Sequence, residues 1–267
     1  MIRLIFNCDD FGKTHEVNTA VLKAHQEGIL GSASLMVTGN AFSEAVEIAR
    51  THPSLKVGLH LALNDAQPVL PKEQIPNLVD PHGRLHQNPG TVGLRIAFCP
   101  RTRAQARAEI AAQFDRFAAT GLPRSHVDGH HHLHMHPFVL RECIQWAERL
   151  RFTRIRVARE FGNPLPPRRD SKKFIAKLFR HWTFLALAAF PNRLLSHSSL
   201  QKLDGVLGLW ETGRMNENYL LQTIPKLPAG NWEIYTHLGS KGAEEELPAL
   251  LSLQLKELLQ QRGIAYL

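Results

Sequence analysis

The chain alternates short apolar runs with amphipathic runs, in that order, on both sides of a variable middle. "RLIFNC" (3–8), "SASLMV" (32–37), "LKVGLHLAL" (55–63), "SHVD" (125–128), "RIRVA" (154–158) and "NWEIYTHL" (231–238) read as buried strands. Between them "EVNTAVLKAHQEG" (16–28), "AFSEAVEIARTH" (41–52), "RAQARAEIAAQFDRFAATG" (103–121) and "PFVLRECIQWAERL" (137–150) read as helices, and "EEELPALLSLQLKELLQQRG" (244–263) as a long one. A Pro/Gly/Asn-rich stretch, about 65 to 93, reads as a loop. Strand then helix, repeated, builds parallel βα units. Either a (β/α) barrel or an open doubly wound sheet satisfies this pattern. In both, ligands gather at the carboxyl ends of the strands.

Four segments deliver carboxylates or imidazoles to those ends. Asp9 and Asp10 follow the first strand, and His60 closes the third. Asp128 and His130 follow "SHV", and His237 ends the last strand. Each has another reading alone. A paired Asp suits a turn or helix cap, a lone His in an apolar strand suits a satisfied core position, and the histidine-rich "HVDGHHHLHMHP" (126–137) suits a solvated loop. One fold rule nevertheless places them all on one rim. Two imidazoles and one carboxylate can bind a divalent metal and leave positions open for water and substrate. A second carboxylate then takes the proton of water acidified by the metal, and an opposing histidine protonates a leaving group. On this reading Asp10, His60 and His130 are metal ligands, Asp9 the base and His237 the acid of an amide hydrolase. The same donor set also fits a non-haem iron oxygenase.

"NCDDFG" (7–12), "VGLH" (57–60) and "HVDGHHHLHMHP" resemble the signature blocks of the YdjC-like carbohydrate deacetylases. The likeness runs through most of residues 3–160 and resumes near "EIYTHLG". It implies an α/β fold, an irregular TIM-like (β/α) barrel with parallel strands, over a single domain spanning 1–267. It implies N-deacetylation of an N-acetylated sugar, with Asp10, His60 and His130 holding one divalent metal ion and Asp9 acting as base. Zinc or magnesium is expected there; imidazole softness favours zinc, cobalt or nickel over magnesium. "GLHLALNDAQPVLP", "IPNLVDPHGRL" and "GLWETGRMN" are similar to the hopanoid-biosynthesis-associated (HpnK-like) branch, which implies an N-acetylglucosaminyl hopanoid lipid as substrate; soluble chitooligosaccharides are the alternative. The chain departs from the family pattern in three places. Cys8 precedes the Asp pair, "HLGS" replaces the usual His-Pro-Gly around His237, and the arginine expected after that block is not evident. His134 is expected beside the metal ligands or against substrate. Asp128 is expected either to orient an imidazole or to cap a turn.

Lys and Arg exceed Asp and Glu by 32 − 24 = 8, which favours anionic partners. No recognition-helix motif or clustered basic face points to nucleic acid. "SKKFIAKLFRHWTFLALAAF" (171–190) interleaves bases with aromatic and apolar residues. It lies in a variable amphipathic insertion at about 165–205 and reads as a membrane-surface helix, a lid or another barrel helix. Cys8, Cys99 and Cys143 are odd in number and far apart, which points to a reducing compartment. No run approaches the roughly 20 apolar residues a bilayer span needs. The expected location is cytoplasmic, with peripheral contact at the inner face of the membrane.

Overall fold

A computed structural model describes residues 1–161 and 194–267. Its centre is β1 (Ile2–Phe11), flanked by β2 (Ser32–Leu35) and β7 (Gly230–Thr236). β3 (Lys56–Leu61), β4 (His126–Gly129) and β5 (Arg154–Ile155) continue the sheet beyond β2, and β6 (Gly205–Leu207) lies outside β7. The order is β5-β4-β3-β2-β1-β7-β6, and every pair is parallel. A short β8 (Ala265–Tyr266) also pairs with β1. Single parallel bridges join Arg154 to Gln201 and Glu160 to Val206. The chain leaving β5 thus reaches β6 at the other end of the order, and the sheet curls as an irregular (β/α) barrel.

Strands covered on both sides read as continuous apolar runs, which is why Leu4, Phe6, Leu59 and Ile234 are all buried. The crossovers are α1 (His15–Glu27), α2 (Phe42–Thr51), α3 (Pro89–Phe98) with α4 (Pro100–Ala118), and α5 (Pro137–Arg149). Thr14 caps α1 by accepting from the Val17 amide, and Gly28 ends it with its N–H on the Ala24 carbonyl.

Two expectations change. The long C-terminal helix is two, Glu246–Leu251 and Leu253–Gln261. Ser252 turns to extended backbone between them, and its hydroxyl accepts from the Leu255 amide, so a capping side chain restarts the helix. The loop at 65–93 gives way to α3 at Pro89. Asn88 caps that helix by accepting from the Thr91 amide, and Pro89 fills the first turn, where no N–H is needed. Most of the expected insertion, 165–193, including the amphipathic run 171–190, lies outside the described residues. Residues 194–205 return the chain to the sheet through the Gln201 bridge. No helix among the described residues is long and apolar enough to cross a membrane.

Candidate active site at the carboxyl ends of the strands

In a regular strand Asp9 and Asp10 would point to opposite faces. A bulge prevents this: three steps of β1, Cys8 to Phe11, pair with two of β2, Ala33 to Leu35. Asp10 adopts a left-handed backbone, φ 63°, which aspartate tolerates better than most residues. Both carboxylates consequently lie within reach of His60.

Asp10 Oδ1 lies 2.9 Å from His130 Nδ1 and 3.3 Å from His60 Nε2, while Lys13 Nζ donates to Oδ2 at 2.8 Å. Three residues from distant segments thus converge through one atom each. His60 Nδ1 donates to Asp128 Oδ1 at 2.8 Å. Asp128 therefore orients an imidazole, and its Oδ2 accepts from the Ser34 hydroxyl and from Arg156 Nη2, both at 2.7 Å. With Nδ1 committed to Asp128, His60 turns Nε2 to the shared centre, the carboxylate–histidine pattern of metal sites.

The electrostatics fit a cation. Burial lifts the Asp10 carboxyl, but hydrogen bonds and charge from His130 and His60 outweigh it and hold it well below the usual carboxylate range. Burial lowers the His60 imidazole, but Asp128, Asp10 and Asp9 raise it to about 10. A field that stabilises a buried imidazolium also stabilises a divalent ion at the same place. His130 is buried, and its Nε2 has no hydrogen-bond partner among the described residues. Asp10, His60 and His130 are a suitable oxygen-and-imidazole donor set.

Asp9 is gripped by Arg156, just beyond β5. Nη1 donates to Oδ2 at 2.8 Å and Nη2 to Oδ1 at 2.7 Å, and Asn7 donates to Oδ1 at 2.9 Å. The same guanidinium serves Glu233 Oε1 and packs on the Tyr235 ring, its carbon 4.6 Å from the centroid. Burial alone would weaken its charge; Asp128, Asp9 and Glu233 hold it firmly protonated. Sequence reading missed Arg156, Glu233, Ser34 and Asn7. The legible signal was polar residues inside otherwise apolar strands, as in "RIRVA" and "NWEIYT". His237 follows β7, next to the strand carrying the Asp pair. Its amide donates to Glu246, and its half-buried ring keeps Nδ1 without a partner among the described residues.

The histidine-rich stretch is no solvated loop. After β4 it forms a tight turn, His130–Met135, with His131 and His132 in left-handed backbone. The turn sends each ring to a different partner. His130 meets Asp10, His131 takes a hydrogen bond from Asn64, His132 meets the Tyr235 hydroxyl, and His136 caps α5. His134 is buried against the Arg156 carbonyl at 3.1 Å, too enclosed to meet substrate. His126 lies against Ser34, with space made by Gly58, where a Cβ would meet the His126 carbonyl at 2.4 Å.

A family profile described as YdjC-like protein matches residues 3–261. Over 150 residues the chain is 39% identical to the carbohydrate deacetylase of Brevibacillus brevis, covering 56% of this chain and 57% of that one. Over 148 residues it is 38% identical to the carbohydrate deacetylase of Geobacillus stearothermophilus, covering 55% and 56%. The match spans a little over half the length of each relative. In fold, the chain superposes with TM-score 0.72 and 24% identity on a protein of Enterococcus faecalis V583, provisionally described as a cellobiose-phosphate cleavage protein, covering 99% of this chain and 96% of that one.

Proposed function

The chain belongs to the YdjC-like protein family, and on that premise we propose that it is a metal-dependent N-deacetylase acting on an N-acetylglucosamine group. The observation that carries this reading is the meeting of Asp10, His60 and His130 beside a second carboxylate, Asp9, at one rim. The names of the curated relatives support the reaction class.

Asp10, His60 and His130 would hold the ion. When bound, it supplies Lewis acidity, polarising the amide carbonyl and acidifying water. Asp9 accepts the proton of the attacking water. Its Oδ2 is the suitable atom, because it receives one hydrogen bond from Arg156 whereas Oδ1 receives two. The Arg156 fork fixes the carboxylate in place. His237 delivers a proton to the amine nitrogen as the C–N bond breaks, and acetate leaves. Asp128 keeps the His60 ring in its tautomer and orientation.

For the substrate we propose the N-acetylglucosaminyl headgroup of a glycosylated hopanoid, supported by the similarity of "GLHLALNDAQPVLP", "IPNLVDPHGRL" and "GLWETGRMN" to that branch. Acetate release from matched hopanoid-linked and soluble N-acetylglucosamine, with metal content measured on the same sample, tests both levels. Release from the lipid-linked substrate alone supports the full reading. Release from chitooligosaccharides alone moves the substrate to the soluble class. Oxygen-dependent turnover without acetate would replace the hydrolase by an oxygenase.

A further inference from the structure

Helix α3 presents an apolar pair outward. Val92 and Ile96 are 1% and 0% exposed and anchor the helix, whereas Leu94 and Phe98, one turn apart on another face, are 63% and 81% exposed. A solvent-facing stripe of a globular helix is ordinarily polar. The surrounding chain is strongly biased in charge. Residues 81–108 contain Arg84, Arg95, Arg101, Arg103 and Arg107 and no aspartate or glutamate. Arg84, Arg95, Arg101 and Arg107 are exposed, Arg95 with Nη1 on His86 Nε2 and the Asn77 carbonyl. Arg103 turns inward to the Ile96 and Ala97 carbonyls, and Arg107 pairs with Glu142. The helix also abuts the histidine-rich turn: a Cβ on Gly93 would sit 3.7 Å from Leu133 Cδ1 and 3.8 Å from His136 Cδ2.

We propose that α3 docks the protein on an anionic lipid bilayer, with Leu94 and Phe98 entering the headgroup boundary and the exposed arginines facing the anionic headgroups. Two exposed apolar side chains bind a bilayer weakly by themselves; adjacent cations add attraction that neutral lipid does not offer. The acid-free stretch matches that surface in sign. Because α3 borders the turn that carries His130, docking there would bring the candidate site close to the lipid surface. The docking stands on the exposed pair and the charge bias, so it does not depend on the deacetylase reading.

The test is flotation of the full chain with vesicles of phosphatidylcholine, and of phosphatidylcholine with phosphatidylglycerol. The wild type should float with the anionic vesicles only and release them as salt rises. The Leu94→Ser/Phe98→Ser double variant should bind at least about tenfold more weakly, and Arg101→Ala about fivefold more weakly. Circular dichroism of both variants should match the wild type. Absence of wild-type flotation overturns the proposal. So does a folded double variant that floats like the wild type, which would assign binding to another segment such as 171–190. A concentration-dependent dimer abolished by the double variant, without lipid binding, would make the face a protein interface and overturn it too. Flotation does not read turnover, so failure of the deacetylase reading would show separately, as absence of acetate.

Discussion

Arg156 grips Asp9 at two points, Nη1 to Oδ2 at 2.8 Å and Nη2 to Oδ1 at 2.7 Å, and one nitrogen of the same fork reaches Asp128 at 2.7 Å. One buried guanidinium therefore ties the proposed base to the carboxylate that orients His60. Removing it leaves Asp9, Asp128 and Glu233 with uncompensated charge in the interior. Arg156→Met should cost roughly 3–5 kcal/mol of stability, measured by urea unfolding. Arg156→Lys should fold better but lose turnover, because an ammonium cannot span two oxygens in a plane. Equal turnover in Arg156→Lys and wild type would end the positioning role.

Asp9→Asn keeps the size of the side chain and removes the proposed proton acceptor. It should bind metal as the wild type does and lose on the order of 10²- to 10⁴-fold in acetate release. Near-normal turnover would refute the base assignment.

His60→Ala and His130→Ala each remove one of three converging donors. Purified protein should then carry little divalent metal by elemental analysis and release no acetate. Full metal content in either variant would place the ion elsewhere.

Asp128→Asn leaves the proposed ligands intact but weakens the acceptor of the His60 Nδ1 proton. Metal affinity should fall by about 10- to 100-fold, read by competition with a chelating dye. Unchanged affinity would reduce Asp128 to a packing role.

Glu160 predicts a pH effect away from the rim. Burial pushes its carboxyl up to about 8, against the lowering pull of amides at Leu209, Gly208 and Trp210. The folded chain thus holds a proton that the unfolded carboxyl, near 4.5, releases. This stabilising contribution is complete below the unfolded value and is lost as pH rises through about 8. Glu160→Gln cannot titrate, so its urea midpoint should fall less than the wild type's between pH 5 and 8, values that bracket most of that window. Parallel slopes would show that Glu160 does not set the dependence.

The order of six of the eight strands described, and of most helices between them, was legible in the sequence because parallel strands need continuous apolar runs and crossovers need amphipathic ones; the short β6 and β8 were not. Where a cap interrupted a pattern, at Ser252, or opened one at Pro89, reading by periodicity alone misplaced the boundary. Asp10, His60 and His130 could be named as candidates for one rim, since the strand-end rule points to that rim before any coordinates exist. Their convergence was not legible. It depends on a bulge that turns Asp10 into left-handed backbone and on a turn that deals five histidines of one stretch to five different partners. Arg156, Glu233 and Ser34 gained their meaning only in three dimensions. A charged side chain in a strand reads as an exposed edge until the sheet curls and carboxylates from three other strands close around it. Residue types and spacing limit which chemistry is available; register and curvature, set by packing between segments far apart in the chain, decide which of those groups meet.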